Sequence, residues 1–245
     1  MCAFHHSPQI CTDGLVLLLD AANTKSYPGS GTTWNDLSGN GNHITLYNSP
    51  TFNSSHITLD GLSQYMRTTN TLDLSSYDSV TVEIWYKTEV DTTYAQIFEH
   101  TDNWNTNDGG FGLYSHNNGS TYTKNTHHTN FNPLAGGTSI ARDYIYTIDT
   151  NWTCVDHIVS QIVDATGRLT YTDGTLQAFS GATRPTTTNT TTYETLVNDY
   201  MYFGARGGAS SFGNTSFSQI KIYGKKLTQS EITQNYNALK GRFGL

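Results

Sequence analysis

Along residues 79–87, apolar side chains alternate with other side chains with a period of two. The apolar set is Val80, Val82, Ile84 and Tyr86, and the alternate set is Thr81, Glu83, Trp85 and Lys87. This period is typical of a β-strand, because successive side chains of a strand point to opposite faces of its sheet. The pattern therefore predicts a strand with one face in the core and a second face that is partly solvated.

A strand of this kind is stable only in a sheet whose apolar face is covered by a second layer. The other predicted strands also alternate, which favours antiparallel sheets over buried parallel ones. Only 13% of the residues are charged, and Thr, Asn, Ser and Tyr supply the polar surface, a composition that suits strands and turns. We predict an all-β, two-sheet antiparallel sandwich in one domain, because a single sandwich can reach 245 residues in length.

The two ends of the chain differ from its middle. Residues 1–12 have too little apolar content to fold alone and are predicted to form an N-terminal arm that a partner orders. The domain is predicted to span residues 13–245. Near its end, Thr228 and Glu231 have the spacing of a capping box, so we expect one short helix, over 228–240, packed on the sandwich.

Charge and composition exclude several partners. The net charge is −7 and the isoelectric point is about 5.6, which gives no basic surface for nucleic acid or an anionic membrane. We find no long apolar run and no signal peptide, so we expect neither membrane insertion nor export by a signal of its own. Cys2, Cys11 and Cys154 allow one disulfide at most, and free buried thiols are the simpler interpretation.

Several short motifs follow one another in a characteristic order. They are Leu59-Asp60-Gly61 with Tyr65, Thr81-x-Glu83-x-Trp85, Trp152 and His157, Tyr171-x-Asp173-Gly174, Gly204-x-Arg206, Ile220-x-Ile222-Tyr223, and Leu227 with Glu231-Ile232. In this order they resemble the concanavalin A-like lectin/glucanase superfamily, in its laminin G-like branch, over nearly the whole chain. The resemblance implies that the two antiparallel sheets form a jelly roll.

Segments near the beginning and the end of the predicted domain resemble a more specific group within this branch. The segments at 13–23, 27–34 and 235–243 are similar to laminin G-like domains in structural proteins of tailed phages, especially aquatic bacteriophages. This implies a capsid or tail decoration on the virion exterior, made in the host cytoplasm and present as a homo-oligomer or in many copies. Its partners would be other virion proteins and host surface glycans. A soluble Ca²⁺-assisted lectin and a glucanase-like hydrolase are the alternatives.

Hydrolysis of the glucanase type is not predicted. In that branch of the superfamily a Glu-x-Asp-x-x-Glu motif places several carboxylates on one strand, whereas Glu83 shares its face with Thr81 and Trp85. Glycoside hydrolysis needs a pair of carboxyl groups, about 5 Å apart in retaining enzymes. Because the strand offers only one, we expect a protein without enzymatic activity.

The alternate face of the same strand is the predicted glycan-binding site. An aromatic ring beside hydrogen-bonding side chains can hold a sugar ring, and Trp85 lies beside Glu83 on this face, with Trp104 in an adjacent loop. In the alternative interpretation, a loop or the helix covers Trp85, which then completes a second, smaller core.

The loop at 101–109 is rich in oxygen ligands of the kind that Ca²⁺ prefers. It lacks the Gly and Glu positions of an EF-hand loop, but laminin G-like domains often bind Ca²⁺ at a sheet rim. We expect no cofactor, but the resemblance leaves open a Ca²⁺ site with Asp102 and Asp108 as carboxylate ligands. Without a metal, the same residues would form a solvated turn.

Overall fold

Two antiparallel sheets account for most of the strands in the computed structural model, which describes residues 9–88, 94–101, 110–116, 126–131, 141–146, 156–163, 167–176 and 196–245. In spatial order, the first sheet contains β15 (Thr175–Leu176), β14 (Gly167–Thr172), β13 (Asp156–Val163), β8 (Ser79–Thr88), β18 (Thr215–Tyr223), β5 (Ile57–Thr58) and β4 (Thr51–Phe52), and β1 (Leu15–Asp20) also pairs with β18. The predicted central strand, β8, lies between β13 and β18.

The second sheet packs on the first. In spatial order it contains β12 (Ala141–Tyr146), β11 (Thr126–Phe131), β10 (Phe111–His116), β9 (Tyr94–His100), β17 (Met201–Phe203), β6 (Tyr65–Thr68), β3 (Ile44–Tyr47) and β2 (Thr33–Trp34). A separate short pair joins β7 (Leu72–Asp73) to β16 (Asn198–Asp199). All pairings between these strands are antiparallel, as the alternating sequence pattern predicts.

The core lies between the two sheets. Ile84 of β8 is opposite Ile220 of β18 in the strand register, and both belong to one buried cluster with Phe98 and Phe203 of the second sheet. Burial of large apolar side chains from both sheets is the main stabilising contribution in a sandwich. The predicted two-sheet antiparallel sandwich with one short C-terminal helix is confirmed.

The helix, α1 (Gln229–Leu239), begins as predicted. Its N-cap residue, Thr228, accepts a hydrogen bond from the Glu231 backbone N–H, and the Glu231 carboxylate accepts one from the Thr228 backbone N–H. These reciprocal bonds satisfy two donors at the start of the helix. A short 3₁₀ turn, Lys240–Arg242, follows the helix.

In the part of the chain that the structure describes, no helix is long and apolar enough to cross a membrane.

The alternate face of β8 was predicted to be partly solvated, and this prediction is wrong for every residue of the set except Lys87, which is partly exposed. Thr81, Glu83 and Trp85 are each 0% exposed. Asn235 and Tyr236 of α1 contact Glu83 and Trp85, and Phe243, directly after the 3₁₀ turn, also stacks on Trp85. The Thr81 hydroxyl bonds to the backbone of Lys225 and Leu227, just before the helix. The alternation identified the strand correctly, but the cover over its second face comes from residues far away in the sequence.

The segment before β1 also packs on the helix. Cys11 is 9% exposed, and its backbone N–H donates to Asn235 Oδ1 over 2.7 Å. Gln234 Nε2 donates to the Gln9 carbonyl oxygen over 2.6 Å. The boundary between the predicted arm (1–12) and the predicted domain (13–245) stays a prediction, but Gln9, the first residue that the structure describes, already contacts the helix.

One buried histidine gives the fold a pH dependence. His100 of β9 is 0% exposed, and its Nε2–H donates to the Leu72 carbonyl oxygen over 3.0 Å. Burial disfavours the imidazolium and lowers the pKa of His100 below its ordinary value of 6.5. Between the folded-state pKa and 6.5, the unfolded chain binds more protons, so acidification through this window lowers the free energy of unfolding.

We therefore expect the melting temperature to fall when the pH is lowered from about 7 to about 5, and to fall less steeply in His100→Gln. The amide can still donate to the Leu72 carbonyl oxygen but does not titrate. Thermal unfolding followed by circular dichroism at several pH values measures both slopes. Equal slopes in the two proteins would show that His100 does not contribute.

Candidate functional site

A buried polar network lies between α1 and the first sheet. Lys221 Nζ of β18 is 2.7 Å from Glu83 Oε1, and both side chains are 0% exposed. Asn235 Nδ2 donates to Glu83 Oε2 over 2.6 Å and to the Tyr223 hydroxyl over 3.0 Å. That hydroxyl donates to the Cys11 carbonyl oxygen over 3.0 Å. The network joins the sheet, the helix and the N-terminal segment.

Burial changes the proton affinity of two groups in this network. It lowers the pKa of Lys221, and the nearby Glu83 carboxylate opposes that change. It raises the pKa of Tyr223, and the Glu83 charge acts in the same direction. Each group is thus shifted towards its neutral form by loss of solvation. The ion pair with Glu83 offsets part of that loss for Lys221, and hydrogen bonds to Asn235 and Cys11 do so for Tyr223.

Trp85 is enclosed by aromatic rings from the C-terminal region. Its ring is 5.8 Å from that of Tyr236 and 4.5 Å from that of Phe243, at interplanar angles of 6° and 20°. Such stacked arrangements add to the energy of burial. Trp85 therefore belongs to a second, smaller core, as the alternative interpretation had it.

The predicted glycan site needs a correction as a result. Because Trp85 and Glu83 have no exposed surface, neither can contact a sugar in this structure. Trp104, Asp102 and Asp108 lie outside the described residues, so the contribution of Trp104 and the Ca²⁺ site stay predictions. Among the residues that are described, no group of three or more His, Cys, Asp or Glu side chains could hold a metal ion.

A different surface combines aromatic rings with hydrogen-bonding side chains, the combination that was predicted on β8. Tyr47, Tyr65, Arg67, Tyr200 and Tyr202 lie on or beside three adjacent strands of the second sheet, β3, β6 and β17, and we call them the tyrosine patch. Tyr47 is opposite Tyr65, and Arg67 is opposite Tyr202 in the strand register. Directly opposed residues share a face, and the residues between them on these strands belong to the buried core. The patch thus lies on the outer face of the sandwich.

The side chains of the patch contact one another. The rings of Tyr47 and Tyr65 are stacked, with centroids 4.5 Å apart and an angle of 3° between the planes. The guanidinium carbon of Arg67 is 3.9 Å from the ring centroid of Tyr200, and Arg67 Nη2 donates to the Tyr47 hydroxyl over 3.0 Å. Tyr202 is 5% exposed and lies beneath, whereas the other four are half-buried. The result is an aromatic surface with one guanidinium held in place.

Strained backbone borders the patch. Asn48 and Ser49, directly after Tyr47, have φ angles of 61° and 58°, a region that costs non-glycine residues about 1–3 kcal/mol each. On the other side, Gly208 has a φ of 70°, and a Cβ added there would lie 2.9 Å from Tyr65 Cζ. The strained residues thus lie at one edge of the patch, and the close approach of Gly208 leaves Tyr65 little room at the other.

Reasoning from the sequence alone missed this surface. The relevant signal is the pair of short alternations Tyr65-x-Arg67 and Tyr200-x-Tyr202, which places polar aromatic side chains on one face of a strand. Neither alternation is long, and their proximity follows from the pairing of β6 with β17. A flat aromatic surface with hydroxyl and guanidinium groups is suited to a ligand that has both an apolar face and polar substituents.

Comparisons with known proteins identify the fold. No protein-family model matches the chain, and no curated protein matches it. Among solved structures, Trypanosoma rangeli sialidase aligns with a TM-score of 0.64 and 17% identity over 96% of this chain and 36% of that chain. The botulinum neurotoxin serotype D ligand binding domain, solved with N-acetylneuraminic acid, has a TM-score of 0.62 and 14% identity over 92% of this chain and 51% of its own. The binding domain of botulinum neurotoxin DC, solved with SialylT, has a TM-score of 0.64 and 12% identity over 93% of this chain and 52% of that chain.

These similarities correct the expectation that the protein is not an enzyme. The expectation rested mainly on the lack of a second carboxylate beside Glu83, whereas the same fold occurs in sialidases, which are enzymes. The chain spans about a third of the length of those sialidases and about half of the toxin domains. At identities this low the similarity shows the fold and no activity. The chain therefore has the fold of a lectin-like β-sandwich, shared by enzymes and by binding domains.

Proposed function

We propose that this domain binds carbohydrate and that the tyrosine patch is its binding surface. The observation that carries the proposal is the half-buried, stacked pair of Tyr47 and Tyr65 beside the fixed guanidinium of Arg67. The C–H face of a sugar ring can pack on a tyrosine ring, while its hydroxyl groups bond to phenol and guanidinium groups.

The comparisons support this class of ligand. Two of the structures with the same fold are binding domains that were solved with N-acetylneuraminic acid and with SialylT. Carbohydrate binding therefore occurs in proteins that contain a sandwich of this kind. For this chain it is a proposal, which rests on the geometry of its own patch.

We also propose a setting for this binding, the exterior of a virus particle, where the domain would attach to other virion proteins and contact host glycans. Its support is the resemblance of the segments at 13–23, 27–34 and 235–243 to phage structural domains. Mass spectrometry of purified particles tests it. The chain should be found there in many copies, and absence from particles of a phage that encodes it would refute the proposed setting.

The binding proposal predicts the effect of removing one ring. We expect Tyr65→Ala to weaken binding to oligosaccharides about tenfold, because an aromatic contact contributes about 0.5–1.5 kcal/mol beyond the area that it buries. A glycan array identifies the bound oligosaccharide, and isothermal titration calorimetry measures its dissociation constant in both proteins.

Leu176→Ala serves as the matched control. Leu176 is 49% exposed and lies on β15, in the other sheet, so its replacement should leave binding unchanged. Melting temperatures of both variants confirm that each is folded. Equal affinity of Tyr65→Ala and the unaltered protein, with both folded, would exclude the tyrosine patch as the site.

A further inference from the structure

Arg67 has an unusual environment for a cation on the surface of a β-sandwich. Its guanidinium lies 3.9 Å from the Tyr200 ring centroid, 5.4 Å from that of Tyr47 and 5.9 Å from that of Tyr202. It forms no salt bridge with any residue in the described part of the chain. Phenol rings, rather than carboxylates, therefore surround the positive charge.

This environment holds the guanidinium without neutralising it. An aromatic face attracts a cation through its quadrupole, and the bond from Nη2 to the Tyr47 hydroxyl limits rotation of the group. Arg has five N–H donors in a rigid fork. Nε is buried, and bonds to the Tyr47 and Tyr202 hydroxyls still leave donors on the two terminal nitrogens for a further acceptor. Glu99, opposite Tyr202 in the register, is 1% exposed and thus withdrawn from the surface.

A guanidinium that is held in place and not paired with a carboxylate favours one kind of acceptor. Carboxylate and sulfate groups match its fork, and bonds between ionised partners are about twice as strong as neutral ones. The net charge of −7 disfavours anions over the protein surface in general. If the tyrosine patch binds anions in preference to neutral ligands, a local cation such as Arg67 has to supply the attraction.

We propose that the tyrosine patch selects acidic sugars, with Arg67 binding a carboxylate or sulfate while Tyr47 and Tyr65 contact the sugar ring. This inference rests on the proposed carbohydrate binding and deepens it. It assigns discrimination between charged and neutral sugars to one side chain. The stacked rings, by contrast, contribute to the binding of either kind.

The test compares three probes with a common neutral part: lactose, sialyllactose and sulfated lactose. We expect the full chain to bind one or both acidic probes about tenfold more tightly than lactose, which corresponds to one charge-assisted hydrogen bond net of its solvation. The two acidic probes distinguish a carboxylate from a sulfate as the recognised group. In Arg67→Gln the preference should disappear, and in Arg67→Lys, which keeps the charge without the fork, it should be reduced.

Lys226→Gln is the matched control for charge. Lys226 is exposed and lies outside the patch, and its replacement changes the net charge by the same amount as Arg67→Gln. The preference for acidic probes should persist in Lys226→Gln and should weaken with added salt. An equal affinity for acidic and neutral probes, or a preference that survives Arg67→Gln, would overturn the assignment to Arg67 while leaving carbohydrate binding intact. Failure to bind any glycan would overturn both.

Discussion

Lys221→Met should lower the free energy of unfolding by about 3–5 kcal/mol, because it leaves the Glu83 carboxylate buried without its counter-charge. Nζ of Lys221 lies 2.7 Å from Glu83 Oε1, and neither side chain has exposed surface. Asn235 supplies one hydrogen bond to the other carboxylate oxygen, which cannot replace the lost charge. Chemical denaturation with a linear extrapolation measures the change.

The double variant Glu83→Gln with Lys221→Met separates the buried charge from the loss of packing. An amide at position 83 carries no charge and can still accept the hydrogen bond from Asn235. We expect it to recover more than half of the stability lost in Lys221→Met alone, since replacing both partners of a buried pair is often nearly neutral. A double variant that is no more stable than Lys221→Met would show that the loss comes from packing.

Trp85→Ala should lower the free energy of unfolding by about 3–5 kcal/mol, the range for removing a large aromatic side chain from a core. The Trp85 ring stacks with those of Tyr236 and Phe243, so its removal leaves a cavity beneath the helix. Trp85→Phe, which keeps an aromatic ring in the stack, should lose clearly less. Denaturation curves of both variants measure the difference.

The same variants test whether α1 is part of the cooperative unit. If the helix unfolded independently, Trp85→Ala would change the global unfolding by less than about 1 kcal/mol. Loss of helical signal before the main transition would indicate the same. We expect instead a single transition, because the buried network joins Glu83 of the sheet to Asn235 of the helix and to Cys11.

Local elements of the fold could be predicted because their causes lie within a few neighbouring residues. The alternation at 79–87 identified β8, and the Thr228 to Glu231 spacing identified the start of α1. The Asp-Gly pair at 173–174 is typical of a two-residue hairpin turn, and it connects β14 to β15 with φ angles of 50° and 75°. Turn and cap geometries depend mainly on local backbone preferences.

Other elements were harder to predict for a physical reason. The strands β11 and β12 lie in a polar region with little periodicity, and pairing with β10 and with each other defines them. Asn235 of the helix is polar, yet it is fully buried, and it bonds to Glu83, Tyr223 and Cys11 at once. A buried polar residue is recognisable only once its partners are known.

Side-chain period and local backbone preference were therefore enough to predict the strand pattern, the helix cap and the sandwich class. Which side chains are buried, and which of them lie next to one another, depends on tertiary packing. It buried Trp85 and Glu83 beneath a helix that lies far along the chain, and it brought Tyr47, Tyr65 and Tyr200 together on the outer face of the second sheet. Exposure and proximity depend on which distant segments pack together, and the period of a single strand contains no information about that packing.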